Sequence, residues 1–188
     1  MLYRQPDVGV GPSGRQDIDA TERASRPIAT PTHRTDATHV SAAVSAWAHD
    51  LVARIGVEQP AQHVAVFVPD AAGAGLRLAA QIWGAGEDTG AVVAGEWLVP
   101  IEGSVCGRVY RTGLAALCAD VGLDPDYRSF PGSRTRSSLT IPVGPPDGVV
   151  AVINLEAPWV SAFSIRDYER MTDRAAAAFA SYPGASPG

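Results

Sequence analysis

Two short runs of aliphatic and β-branched residues, five residues apart, constrain this chain more than any other feature. Residues 139–143 (LTIPV) and 149–155 (VVAVINL) flank 144–148, which is Gly, Pro, Pro, Asp, Gly. Apolar runs of this length bounded by that turn chemistry read as an antiparallel hairpin. Directly before it, residues 120–136 have no regular period apart from a candidate helical turn at 126–129. A loop of that length in a compact domain is where ligand chemistry is expected.

The remaining elements follow from spacing. Val40, Val44, Trp47, Leu51 and Ile55 recur every three or four residues, which predicts a helix over about 38–56 with one apolar stripe, widened by Ala43, Ala48 and Val52. The stripe must cover either a sheet face or the same helix of a second subunit. Residues 63–68 read as a strand apolar on both faces, hence central. Residues 76–83 alternate, with Leu78, Ala80 and Ile82 on one face and Arg77, Gln81 and Trp83 on the other. Residues 91–99 give one further irregular strand with Glu96 and Trp97 at its middle. A short helix over 103–111 ends at Thr112 and Gly113, and 114–118 is a short strand. The last helix runs over 165–181 behind Ser164 as N-cap, with Asp167 at the third helical position and Phe163 placed to staple onto Tyr168. Ile165, Tyr168, Met171, Ala175, Ala178 and Phe179 supply its apolar stripe.

A chain of 188 residues that is 46% hydrophobic can bury a core. Net charge is -5, from 15 basic and 20 acidic residues, an acidic balance without the basic bias that nucleic-acid binding needs. The basic residues are all arginine, and Ala and Gly are abundant, the habit of a GC-rich bacterial genome. No apolar run reaches the roughly 18 residues of a membrane span, and no signal-peptide core is present, so a soluble, cytoplasmic protein with no membrane partner is expected. Residues 1–35 lack periodicity and large apolar side chains, which predicts a disordered tail. Arg4, Arg15, Arg23, Arg26 and Arg34 are interleaved there with acids, and an interaction tail is the alternative. Cys106 and Cys118 are expected as reduced thiols.

The order and spacing of several pieces resemble the GAF domain, a small ligand-sensing domain of bacterial signalling proteins. These pieces are Glu102-Gly103-Ser104-Val105-Cys106-Gly107, Ala119-Asp120-Val121 with Asp124-Pro125 and Tyr127, the strands at 138–142 and 149–155, and Phe163-Ser164 with Asp167. The resemblance covers about residues 38–182. It implies an α/β fold of the α+β kind, with a central antiparallel sheet of five or six strands. The N- and C-terminal helices would lie side by side on one face, often forming a dimer contact, and a loop-covered pocket on the other. The domain division is then 1–35 tail, 36–183 GAF-like domain and 184–188 flexible C-terminus, with no second module expected.

More distantly, the chain resembles the GAF-like free methionine-(R)-sulfoxide reductases, which share Val105-Cys106-Gly107. It departs from them where their chemistry lies. The loop cysteine is missing from 130–135, Ser138 stands for an acid, and Asn154 and Glu156 stand for two aspartates. Cys106, near a helix start, is placed where the helix dipole favours a thiolate, but a resolving thiol is not evident. The histidines, His33, His39, His49 and His63, all precede the pocket segment and are expected on the wrong side of the sheet. This leaves no haem ligand, no metal site, no catalytic residue and no cofactor.

The pocket candidates are Trp83, Trp97, Cys106, Tyr110, Tyr127, Phe130, Arg136, Thr140 and Asn154, with Arg134 and Arg136 suited to a carboxylate or phosphate. Three functions stay open. The first is a non-enzymatic sensory or regulatory domain that binds a small organic ligand and signals through a homodimer or a signalling protein partner. The second is a protein-interaction domain whose pocket is filled by aromatics. The third is a thiol-dependent reductase.

Overall fold

The computed structural model describes residues 40–58, 61–84, 97–129 and 133–184. The expected tail over 1–35, Phe130 and the start of the strand expected from residue 91 lie outside them. The elements in order are α1 (Ala42–Glu58), β1 (His63–Pro69), β2 (Gly75–Trp83), β3 (Leu98–Pro100), α2 (Val105–Thr112), β4 (Ala116–Cys118), β5 (Ser137–Val143), β6 (Ala151–Ala157) and α3 (Ile165–Ala180). The six strands form one antiparallel sheet in the order β3-β2-β1-β6-β5-β4.

Both faces are covered, and unequally. On one, α1 packs against β1 and β2 and α3 against β5. Trp47, Leu51, Ile55, Val66, Ile141, Ile153, Leu155, Met171 and Ala175 form the larger core there. The α1 stripe and the middle of the α3 stripe are thus spent on the sheet, whereas Ile165 stays exposed. The Trp47 indole donates to the Ala178 carbonyl at 3.2 Å and ties the two helices together. On the other face, α2 closes a smaller core of Ala65, Phe67, Leu76, Leu78, Val99, Cys106, Val109 and Val152.

The alternation read along β2 holds for only half the strand. Val66 pairs with Ala80 but Phe67 with Leu78, so Ala79 is an extra residue, a β-bulge. Ala80 faces α1 whereas Leu78 faces α2, and Arg77 moves to the α1 side, where its Nε donates to Asp70 at 2.9 Å. The expectation that Leu78 shares a face with Ala80 and Ile82 is corrected accordingly. The expected helical turn at 126–129 is replaced by a 3-10 turn at Val121–Leu123.

α3 begins as its sequence dictates. Ser164 Oγ accepts from the Asp167 amide, and the Asp167 carboxylate accepts from the Ser164 amide at 2.8 Å, a reciprocal capping box. Ser164→Ala removes one half of it and is expected to lower stability by about 1 kcal/mol in chemical denaturation. A loss within error would mean that tertiary packing alone fixes the start of the helix.

Candidate functional site

Strand register builds the site. His63 pairs with Glu156, Glu156 with Ser138 and Ser138 with Cys118, so these four share one cross-strand row. In the next row Ala65, Asn154, Thr140 and Ala116 follow one another. Further along, Phe67 and Val152 turn the surface apolar. Period-two alternation therefore sets a polar patch into an otherwise greasy face. α2 lies over it, as do Tyr127, Arg128 and Thr135 of the loop.

Glu156, only 1% exposed, is the centre of that patch. Its Oε2 accepts from the His63 ring at 2.9 Å and from the Thr135 hydroxyl at 3.2 Å. Oε1 accepts from the Tyr127 hydroxyl and the Asn154 amide, each at 3.2 Å. Asn154 in turn accepts from Thr140 Oγ1 at 2.8 Å. On its far side His63 Nε2 lies 3.0 Å from Gln81 Oε1, and the ring stacks on Trp83 with centroids 3.7 Å apart. A buried carboxylate is tolerated only when its lone pairs are used in this way.

The loop is pinned at several points. The Val121 amide donates to the Arg136 carbonyl at 3.0 Å and the Arg136 amide to that of Ala157 at 2.7 Å. From α2, Arg108 reaches down to Asp124 at 2.6 Å and Asp126 at 2.7 Å. Those contacts hold the Arg108 guanidinium above its ordinary value through the Asp124 hydrogen bond. The small cavity left beneath the loop, about 20 Å³, is lined by Trp97, Cys106, Tyr127, Ser138, Asn154 and Glu156 among others. Ser138 Oγ is fully buried at its wall and has no hydrogen-bond partner among the described residues.

The sequence candidates divide on this geometry. Trp97, Cys106, Tyr127 and Asn154 line the cavity. Thr140 lies one row away and acts through Asn154, whereas Tyr110 packs at the edge of the α2 core. Trp83 stands behind His63, outside the lining. Arg136 is exposed, with Asp120 at 3.5 Å, and Arg134 is exposed too, so neither guanidinium is turned to the cavity. Phe130 lies outside the described residues.

Arg128, His63, Ser138 and Glu156 were not among the candidates. The placing of every histidine on the wrong side of the sheet is overturned by His63, which faces Glu156 across the sheet. The available signal was parity. His63, Ala65 and Phe67 on β1 alternate in step with Val152, Asn154 and Glu156 on β6.

Cys106 is only 7% exposed. Burial, and then the nearby Glu156 carboxylate, push its thiol well above the ordinary 9.0, against a smaller opposing effect of its backbone hydrogen bond. The thiolate expected from the helix start is therefore not favoured. Burial raises the Cys118 thiol as well. Tyr127 is raised by burial and then by Glu156.

Both shifts carry a sign in stability. Above about pH 9 the unfolded chain releases a thiol proton that the folded chain retains, so stability falls as pH rises. Tyr127 adds to the fall from about pH 10. Urea midpoints at pH 7, 9 and 10.5 are expected to drop less steeply with pH for Cys106→Ala than for the parent. Parallel slopes would show that Cys106 titrates equally in both states.

No protein-family profile matches the chain, and no curated protein does. Solved structures do. Free methionine-R-sulfoxide reductase from Neisseria meningitidis, in complex with its substrate, superposes with TM-score 0.61 at 18% identity, over 73% of this chain and 77% of that one. The GAF domain of a phosphoenolpyruvate-protein phosphotransferase from Acinetobacter gives 0.63 at 13% identity, over 76% and 83%. The fold is GAF-like. Type II free methionine-R-sulfoxide reductase from Thermoplasma acidophilum gives 0.60 at 20% identity, over 74% and 94%. GAF domains and reductases thus share this architecture with the chain at identities that speak for fold alone. Among the described residues no helix of the GAF-like chain is long and apolar enough to cross a membrane, and no group of His, Cys, Asp and Glu is arranged to hold a metal ion.

Proposed function

We propose that this chain is a non-enzymatic GAF-like sensory or regulatory domain that binds a small organic ligand over Ser138, Asn154 and Glu156. One observation carries the reading, the buried polar row with Ser138 Oγ unpartnered at the cavity wall. An apolar residue there would spare the desolvation cost, about 1–3 kcal/mol for an unsatisfied hydroxyl, so a serine at this position supports a ligand that completes the hydrogen bond. The surrounding acceptors, the Glu156 carboxylate above all, favour a ligand presenting an amine or hydroxyl. Entry requires Tyr127 to leave Glu156, since about 20 Å³ holds little more than one water. Cys106, protonated and buried, is a poor nucleophile, which supports the absence of thiol catalysis.

The same small volume favours a second reading, an interaction domain whose pocket is closed by its own side chains. A protein-observed NMR screen of the isotope-labelled full chain against small amines, alcohols and amino acids separates the two. Binding that shifts the Ser138, Asn154 and Glu156 amides and is lost in Ser138→Val supports the sensor. If no probe moves them while the fold stays intact, the interaction domain stands instead. Conversion of methionine-(R)-sulfoxide to methionine with a thiol reductant would overturn the non-enzymatic part.

A further inference from the structure

On the face that carries the long helices, α3 leaves space between itself and the free edge of the sheet. A groove of about 430 Å³ runs there, with Ala115 and Ile141 toward the sheet and Tyr168, Thr172, Ala176 and Phe179 along the helix. Its walls are apolar and its surroundings are not fully covered. Leu114, 69% exposed, lines it, and Ile165, 63% exposed, sits one helical turn before Tyr168. Exposed apolar surface grouped in this way marks a contact.

The rim is acidic. Glu169 and Asp173, both exposed, lie one step further round α3 from Thr172 and Ala176. Asp147, also exposed, stands in the hairpin turn beside the lining residues Gly144 and Pro145. Such a groove suits an apolar segment flanked by cations.

The chain carries a segment of that kind. Residues 23–34 hold Arg23, Arg26 and Arg34 and no acid, around Pro27, Ile28, Ala29 and Pro31. The place where the described chain begins suits it too. Val40 sits against Val44, Val68 and Tyr182, and Tyr182 follows the end of α3, beside the Phe179 end of the groove. Ile28 is 12 residues before Val40, a reach of up to about 40 Å when extended. The groove asks for much less, since α3 rises only about 16 Å between Tyr168 and Phe179.

We propose that residues 23–34 dock in this groove of the same molecule, with Ile28 against the Tyr168 and Ala176 wall and the arginines toward Glu169, Asp173 and Asp147. An intramolecular spin-label experiment tests it on the full chain. Thr30→Cys, in a Cys118→Ser background and with Cys106 shielded by burial, receives a nitroxide. The amide signals of Leu114, Thr172 and Ala176 are expected to lose at least half their intensity, and to regain it in the exposed Glu169→Lys, Asp173→Lys double variant. A one-to-one mixture of spin-labelled and isotope-labelled chains is expected to show no loss.

Undiminished signals at the groove overturn the proposal and leave it open to an external partner. Attenuation that survives the charge reversal overturns the role of the acidic rim. Attenuation in the mixed sample overturns the intramolecular contact and assigns the groove to a second copy.

Discussion

Glu156→Ala is expected to lower the folding free energy by about 3–5 kcal/mol, since each buried polar group left unsatisfied costs about 1–3 kcal/mol. The carboxylate collects four donors, from His63, Thr135, Tyr127 and Asn154. Alanine leaves all four without that acceptor, where His63 and Asn154 are buried and Tyr127 and Thr135 half-buried. The cost is not that of one hydrogen bond, about 1 kcal/mol net, but of several desolvated groups at once. Glu156→Gln keeps one oxygen acceptor and should lose distinctly less. A double-mutant cycle with His63→Gln is expected to give a coupling of about 1–3 kcal/mol, because the two side chains are in direct contact. Urea denaturation of the four proteins measures each quantity. A loss below about 1 kcal/mol for Glu156→Ala would show that water takes over the carboxylate's role, and that the polar row is not part of the stabilising core.

Gly107→Ala is expected to be of similar severity for a different reason. A Cβ at Gly107 would come within 2.0 Å of the Ile101 carbonyl oxygen and 2.6 Å of the Ile101 Cα. These are backbone atoms, which no side-chain rotation relieves. Alanine normally gains about 1 kcal/mol over glycine inside a helix, yet overpacking costs about 1–3 kcal/mol and more where backbone must move. The clash prevails, so α2 must lift from the Pro100 to Ser104 segment. Ser104, Val105 and Cys106 all line the cavity, so this loosening reaches the site directly. The expected results are a net loss of about 2 kcal/mol or more and reagent access to Cys106 in the native state. A stability equal to the parent's would mean that the segment before α2 yields freely.

Much of this was visible in the amino-acid order, and the gaps have physical causes. The two long helices, the hairpin and the α3 cap come from local periodicity and turn chemistry, which need no knowledge of partners. The covering of the sheet by α1 and α3 follows from stripes that had to be buried somewhere. What local pattern does not contain is pairing between distant strands. His63 and Glu156 are 93 positions apart, and only the antiparallel pairing of β1 with β6 makes them neighbours. Glu156 was visible as a substitute for an acid, but its burial depends on Tyr127 and Thr135 arriving from the loop. The aromatic candidates were half informative. Trp97 and Tyr127 reach the cavity, while Trp83 serves as the backing of His63.

The extra residue in β2 places the strand's two ends in opposite phase. Were Ala79 to take a regular ladder position instead of bulging, with the Trp83 end held in register, strict alternation would turn Arg77 toward α2 and send Leu76 and Leu78 to the other side. The arginine would then displace two of the largest fully buried side chains of the smaller core. The bulge thus acts as a frame correction for the inserted position. It lets one strand give glutamine and tryptophan to the polar end of a surface and leucines to the greasy end.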